Sequence, residues 1–153
     1  MPTLTDDDLT MTESTAICHY LVERYRPTPL RVDPLDAAYG HYLNWLYRSD
    51  ATLTFPQTIV LRYSRLEPEA RRLPQAVEDY SAWYLSRLRS VEATLDDGRN
   101  FLCAGRFTIA DIAVHYALYL GETLGLSARY KPDCRRYLEA LKARLAFASA
   151  VAR

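Results

Sequence analysis

The chain has 153 residues, of which 49% are hydrophobic and 25% charged, with 19 basic residues against 19 acidic ones. That is chain enough for one domain, or one domain and part of another, and the apolar fraction excludes a wholly disordered polymer. A net charge of zero excludes a general pull toward nucleic acid or an anionic membrane surface, and no apolar run approaches the ~20 residues that span a bilayer.

Residues 1–12 carry Asp6, Asp7 and Asp8 and no Lys or Arg, so they do not read as a targeting segment. Short Thr/Leu/Met runs on either side of those aspartates predict a small β-hairpin. A helix is predicted to begin near Thr12 to Ser14, with Ala16, Ile17, Tyr20 and Leu21 on one face. Pro27, Pro29 and Pro34 then mark residues 27–34 as a linker.

From residue 35 onward the hydrophobic period is helical. Leu35, Tyr39, Tyr42, Leu43 and Leu46 step by three and four, and Pro56 is expected to kink or interrupt that helix. A break spans Pro68 to Pro74. Val77, Tyr80, Tyr84, Leu88, Val91 and Leu95 form the next stripe, stopped by Asp97-Gly98. Ile109, Ile112, Tyr116, Leu120 and Leu124 form another, and Pro132 opens a last helix with Tyr137, Leu138, Leu141 and Leu145 expected inward. The expected fold is mainly α: a β-hairpin with one helix, a proline-rich linker, and a four- or five-helix bundle.

Cys18, Cys103 and Cys134 are odd in number and widely spaced, which argues for free thiols in a cytoplasmic protein rather than a disulfide framework. They form no metal-ligand pattern with His19, His41 or His115, so no metal site is expected. Arg62, Arg65, Arg71 and Arg72 read as a solvated helix end rather than a nucleic-acid patch.

Two local signals carry more. In Phe107-Thr108-Ile109-Ala110-Asp111-Ile112, Thr108 as N-cap and Asp111 three residues on form a capping box, and Phe107 and Ile112 are placed to form a hydrophobic staple. Its expected role is structural. In Thr12-Glu13-Ser14-Thr15-Ala16-Ile17, Glu13 and Ser14 sit where strand turns into helix. The free first-turn amides and the Ser14 hydroxyl form a site for a carboxylate, and Glu13 could pair with an ammonium. A plain helix cap is the alternative.

Taken together, these stretches resemble a cytosolic glutathione transferase from that family's third β-strand onward. The family's Val-Pro-x-Leu strand appears as Met1-Pro2-Thr3-Leu4, its acidic turn as Asp6 to Asp8, and its Glu-Ser-x-Ala-Ile helix as Glu13 to Ile17 with Tyr20-Leu21. Phe107 to Ile112 resembles the family's folding motif in the sixth helix, and Tyr137 to Phe147 its last helix. The resemblance implies a thioredoxin-like remnant at 1–26, a linker at 27–34 and an all-helical domain at 35–153. It implies a cis-proline at Pro2 and glutathione contacts from Met1, Pro2, Glu13 and Ser14. Tyr47, Arg48 and His115 become candidates for the electrophile pocket. The family's first-helix catalytic Ser, Tyr or Cys has no counterpart in these residues, so conjugation of glutathione to a small electrophile is expected to be weak or absent; a noncatalytic binding or scaffold module is the alternative. An open hairpin edge further implies a homodimer or self-association through the hairpin.

Overall fold

A computed structural model describes residues 2–152. The chain folds as two short strands, β1 (Leu4–Asp6) and β2 (Leu9–Met11), followed by helices. The strands pair antiparallel, Leu4 opposite Met11 and Asp6 opposite Leu9. Asp7 makes the turn possible by taking a positive φ of 51°, a conformation that Asp tolerates better than most residues. A lone hairpin is marginally stable. This one is tied to the first helix, α1 (Ser14–Arg24), because the Tyr20 hydroxyl donates to Asp6 Oδ2 at 2.6 Å.

The linker is clamped rather than free. Val32 is fully buried, the Ile109 amide donates to the Leu30 carbonyl at 2.9 Å, and Arg106 donates to the carbonyls of Arg31 and Pro29. The segment therefore holds α1 against the bundle. Leu35, expected on the core stripe, is 96% exposed, since the next helix, α2 (Tyr39–Arg48), starts four residues later. The buried face of α2 is Tyr42, Trp45 and Leu46.

The α-helical run is interrupted, but not ended, just before Pro56. The backbone widens into a π-helical turn at Ser49–Thr54, in which the Phe55 amide reaches back five residues to the Asp50 carbonyl, and α3 (Phe55–Leu61) continues with the proline at its start. The proline ring and its missing amide are accommodated by that widened turn, where the i→i−4 ladder is already interrupted. Two side chains support the wider turn: Ser49 Oγ donates to the Leu46 carbonyl at 2.6 Å and Thr54 Oγ1 to the Ser49 carbonyl at 2.8 Å. The stripe from Val77 to Leu95 is observed, but as two helices, α4 (Pro74–Arg87) and α5 (Arg89–Leu95), divided at Leu88.

At the centre lies α6 (Ile109–Thr123), which the other elements address through its carbonyls. Gln57 Nε2 donates to Ala117 O at 2.9 Å, the Tyr130 hydroxyl to Leu118 O at 2.8 Å, and the hydroxyls of Tyr84 and Tyr130 lie 2.6 Å apart. Gly121 leaves room for both phenols, because a Cβ there would collide with Tyr130 Oη and stand 2.7 Å from Tyr84 Oη.

The expected cap starts this helix. Thr108 is the N-cap and the capping box is closed. Asp111, fully buried, does more than its box requires: Oδ2 accepts from the Thr108 amide at 2.9 Å and its hydroxyl at 3.1 Å, and Oδ1 from the Leu102 amide at 2.9 Å and the Tyr137 hydroxyl at 2.8 Å. One carboxylate thus joins the loop before α6, the start of α6, and α7 (Pro132–Lys142). Burial pushes the carboxyl up from its ordinary value, against the downward pull of these donors.

The chain does not continue inward to Leu145. It turns at Ala143-Arg144 into α8 (Leu145–Val151), whose different axis leaves Leu145 87% exposed. Arg144 stacks over the Phe107 ring at 3.6 Å. Phe107 and Ile112, the expected staple, line one cavity. No helix among the described residues is long and apolar enough to cross a membrane.

Candidate functional site

Buried on α6 are Ile109, Ala110, Asp111, Val114, His115, Ala117, Leu118 and Gly121, so of the stripe read from sequence Ile109 alone is fully inward. Ile112 and Tyr116 of that stripe are 37% and 53% exposed. Both look instead into a cleft of about 380 Å³ between α1 and the bundle, whose other walls are Pro2, Ser14, Thr15 and Cys18 on one side and Ser49, Asp50 and Thr54 of the π-helical turn on the other. A volume of this size accepts a small molecule.

The mouth of the cleft is built by the start of α1. Glu13 is its N-cap but makes no side-chain cap bond, so the first-turn amides stay open for an anion, with the Ser14 hydroxyl beside them. Glu13 lines an adjoining groove of about 470 Å³ together with His19, Tyr20 and Tyr47. Thr15 and Asp50 line both spaces. The arrangement offers an anion receptor at Ser14 and carboxylates at Glu13 and Asp50 for a cation: the two ends of an α-amino acid group. Cys18 faces the cleft as well, and burial pushes its thiol up, which disfavours the thiolate.

The candidates taken from the resemblance lie in different places. Pro2 and Ser14 line the cleft, and Glu13 and Tyr47 the adjoining groove. Met1, and with it the peptide bond expected to be cis, lies outside the described residues. Arg48 lines a third cavity, on the far side of α2. His115 is buried under α8 against Phe147, whose ring centroid is 4.9 Å away; burial lowers its pKa, opposed by a backbone hydrogen bond at Leu138. Sequence reasoning missed Cys18, Asp50 and Tyr116. For Asp50 a signal existed: Ser49 and Thr54 close upstream of Pro56 are the residues that stabilise the turn bringing it to the cleft. Among the described residues, no group of three or more His, Cys, Asp or Glu could hold a metal ion.

The sequence profile described as glutathione S-transferase, N-terminal domain, matches residues 1–29, the hairpin and α1 that form one wall of the cleft. The rest of the chain follows known transferase structures. Ure2p5 of Phanerochaete chrysosporium, cocrystallised with 1-(S-glutathionyl)-2,4-dinitrobenzene, is 25% identical, with a TM-score of 0.83 over 95% of this chain and 69% of that one. In its first segment and in its fold the chain is similar to glutathione transferases. A glutathione S-transferase of Actinobacillus pleuropneumoniae is also 25% identical, with a TM-score of 0.77 over 98% of this chain and 66% of that one. Yeast Ure2p in complex with S-p-nitrobenzylglutathione shares the fold at 22% identity, with a TM-score of 0.87 over all of this chain and 72% of that one. The chain thus spans about two thirds of the length of these transferases. No curated protein matches it in sequence.

Proposed function

We propose that the chain is a glutathione-binding module of the transferase family, and that the cleft between α1 and α6 receives the tripeptide. The observation that carries this is the open α1 N-terminus with Ser14, set in a cleft of fitting size, in a fold whose solved relatives are crystallised with glutathione or its conjugates. The first-turn amides and Ser14 take the γ-glutamyl carboxylate. Asp50, with Glu13 beside it, takes the ammonium, and the segment at Pro2, ahead of β1, runs along the cysteinyl part. Ile112 and Tyr116 present an apolar wall to whatever the sulfur carries.

Conjugation needs a group that holds the sulfur as thiolate. The family's first-helix Ser, Tyr or Cys, which fills that role, has no counterpart among these residues. The isolated chain therefore binds glutathione without accelerating its attack on an electrophile, and a noncatalytic binding role follows for these residues taken alone. The division into a thioredoxin-like remnant at 1–26, a linker at 27–34 and a helical domain from 35 belongs to this reading, as does pairing of two copies through the hairpin edge. Calorimetric titration with S-hexylglutathione tests it. Saturable binding, weakened several-fold in Ser14→Ala and in Asp50→Asn, is expected, along with a rate of 1-chloro-2,4-dinitrobenzene conjugation at the uncatalysed level. Failure of the ligand to bind, or turnover far above background, would sink the proposal.

A further inference from the structure

The last helix is held by one ring. In α8 every residue but Phe147 is exposed, and among the described residues no backbone hydrogen bond joins 145–151 to another helix. A helix this short does not persist in water without tertiary support. Its support is an aromatic seat on α6: the Phe147 ring stands nearly perpendicular to His115 at 4.9 Å and to Tyr119 at 5.1 Å between centroids. One flank of the seat is unfilled, since Phe107, Leu141 and Ala150 help to enclose a cavity of about 200 Å³ beside it.

His115 is the titratable member of that seat, and it is 7% exposed. Its backbone hydrogen bond is at Leu138, and Nε2 is buried with no partner among the described residues. A neutral imidazole tolerates this, because Nε2 is then an unused acceptor. A protonated one carries a charge and a second N–H donor under a phenyl ring, which is costly without an acceptor. No free acceptor faces it. Lys142 and Glu139 of α7 and Glu122 of α6 surround it, but Lys142 holds both carboxylates, at 3.0 and 3.1 Å. Asp111, one turn back on α6, is filled by its contacts to Leu102, Thr108 and Tyr137. Arg144, at the turn into α8, is itself a cation, stacked on Phe107 at 3.6 Å. Residues 145–151 contain no ionisable side chain. The acceptor left is water, and the space open to it is the cavity beside Phe147.

We propose that α8 is an acid-released latch: protonation of His115 draws water to Nε2, unseats Phe147 and frees residues 145–151 from the bundle. Ile112 lines the cavity under α8 as well as the cleft, so release also bares the back of the cleft's apolar wall. The latch does not rest on glutathione binding. Proton linkage sets its direction. Closed, His115 is held below its ordinary value, chiefly by burial; released, it returns to about 6.5. Acid therefore favours release by up to about tenfold per pH unit below 6.5, until the closed form takes up the proton as well.

Hydrogen–deuterium exchange, read by mass spectrometry on the fragment covering α8 and corrected for intrinsic chemistry, measures release. Between pH 7.5 and pH 5.5 the protection of these amides should fall by about fivefold. At both pH values it should lie below that of α6 and be unchanged by about 0.5 M urea, because local release exposes far less surface than unfolding. His115→Asn keeps a side-chain amide near Leu138 and cannot titrate, so its α8 protection should be equal at the two pH values. If that variant loses its helical circular dichroism, Phe147→Ala replaces it: without the ring, α8 should exchange at one unprotected rate at both. The proposal is overturned by α8 protection that does not fall with acid, by an acid loss that persists in His115→Asn, by α8 exchange that quickens in urea in step with α6, or by Phe147→Ala protection as high as the parent's.

Discussion

Gly121→Ala separates local preference from packing, because the two predict opposite signs. Alanine is the better helix former by about 1 kcal/mol, so on propensity alone the variant is more stable. In the fold, the new methyl would overlap Tyr130 Oη and approach Tyr84 Oη to 2.7 Å and Tyr84 Cε1 to 3.0 Å. Both rings are themselves buried, Tyr84 fully and Tyr130 to 4% exposure, so neither can swing into solvent. Overpacking of this kind costs about 1–3 kcal/mol. Displacing the phenols also breaks the 2.6 Å contact between them and the bond from Tyr130 to Leu118 O, at about 1 kcal/mol or more for each buried group left unpaired. With the propensity gain subtracted, the net is a loss of about 2–4 kcal/mol. Urea unfolding followed at 222 nm measures it. A double-mutant cycle with Tyr130→Phe isolates the cause: removing the hydroxyl that the methyl strikes should recover part of the loss, so the double variant should lie above the sum of the singles. A Gly121→Ala protein as stable as the parent, or strictly additive behaviour in the cycle, would refute the argument.

Asp111→Ala should cost at least about 3 kcal/mol, since it strands the buried amides of Leu102 and Thr108 and the Tyr137 hydroxyl together; a loss under about 1 kcal/mol in the same urea assay would contradict the account of α6. His115 should make stability fall on acidification. Its folded pKa is lowered, chiefly by burial and with Lys142 adding to the fall, while Glu122, Glu139 and the Leu138 backbone oppose it. The unfolded chain therefore takes up the proton first, so the His115 contribution is complete above about pH 6.5 and declines below it, toward the folded value. Urea midpoints taken from pH 8 to pH 5 should drop more steeply in the parent than in His115→Leu, and parallel profiles would dismiss the assignment. Two chains paired through the hairpin should give a concentration-dependent mass in light scattering that Thr10→Pro, which removes an amide from β2, diminishes; a concentration-independent monomer would rule that pairing out.

The sequence by itself determined the elements that short-range chemistry controls. The aspartate turn of the hairpin, the Thr108–Asp111 box and the prolines that open α4 and α7 all act within a few residues, where backbone sterics and side-chain-to-amide bonds leave little choice. The Tyr84–Leu88–Val91–Leu95 stripe was legible because that surface has polar neighbours on the other side. Helix α6 was not, because it is apolar almost all round: its period was visible but its phase was not. Only packing decided that Ala110, Val114 and Gly121 face inward while Ile112 and Tyr116 wall the cleft. The same holds for Arg48, which differs from its neighbour Tyr47 by one position but emerges on another side of α2 and so in another cavity. Residue spacing fixes angles around a single helix axis, whereas the site depends on which neighbouring elements stand opposite each angle, and that is settled by contacts between residues far apart in the chain.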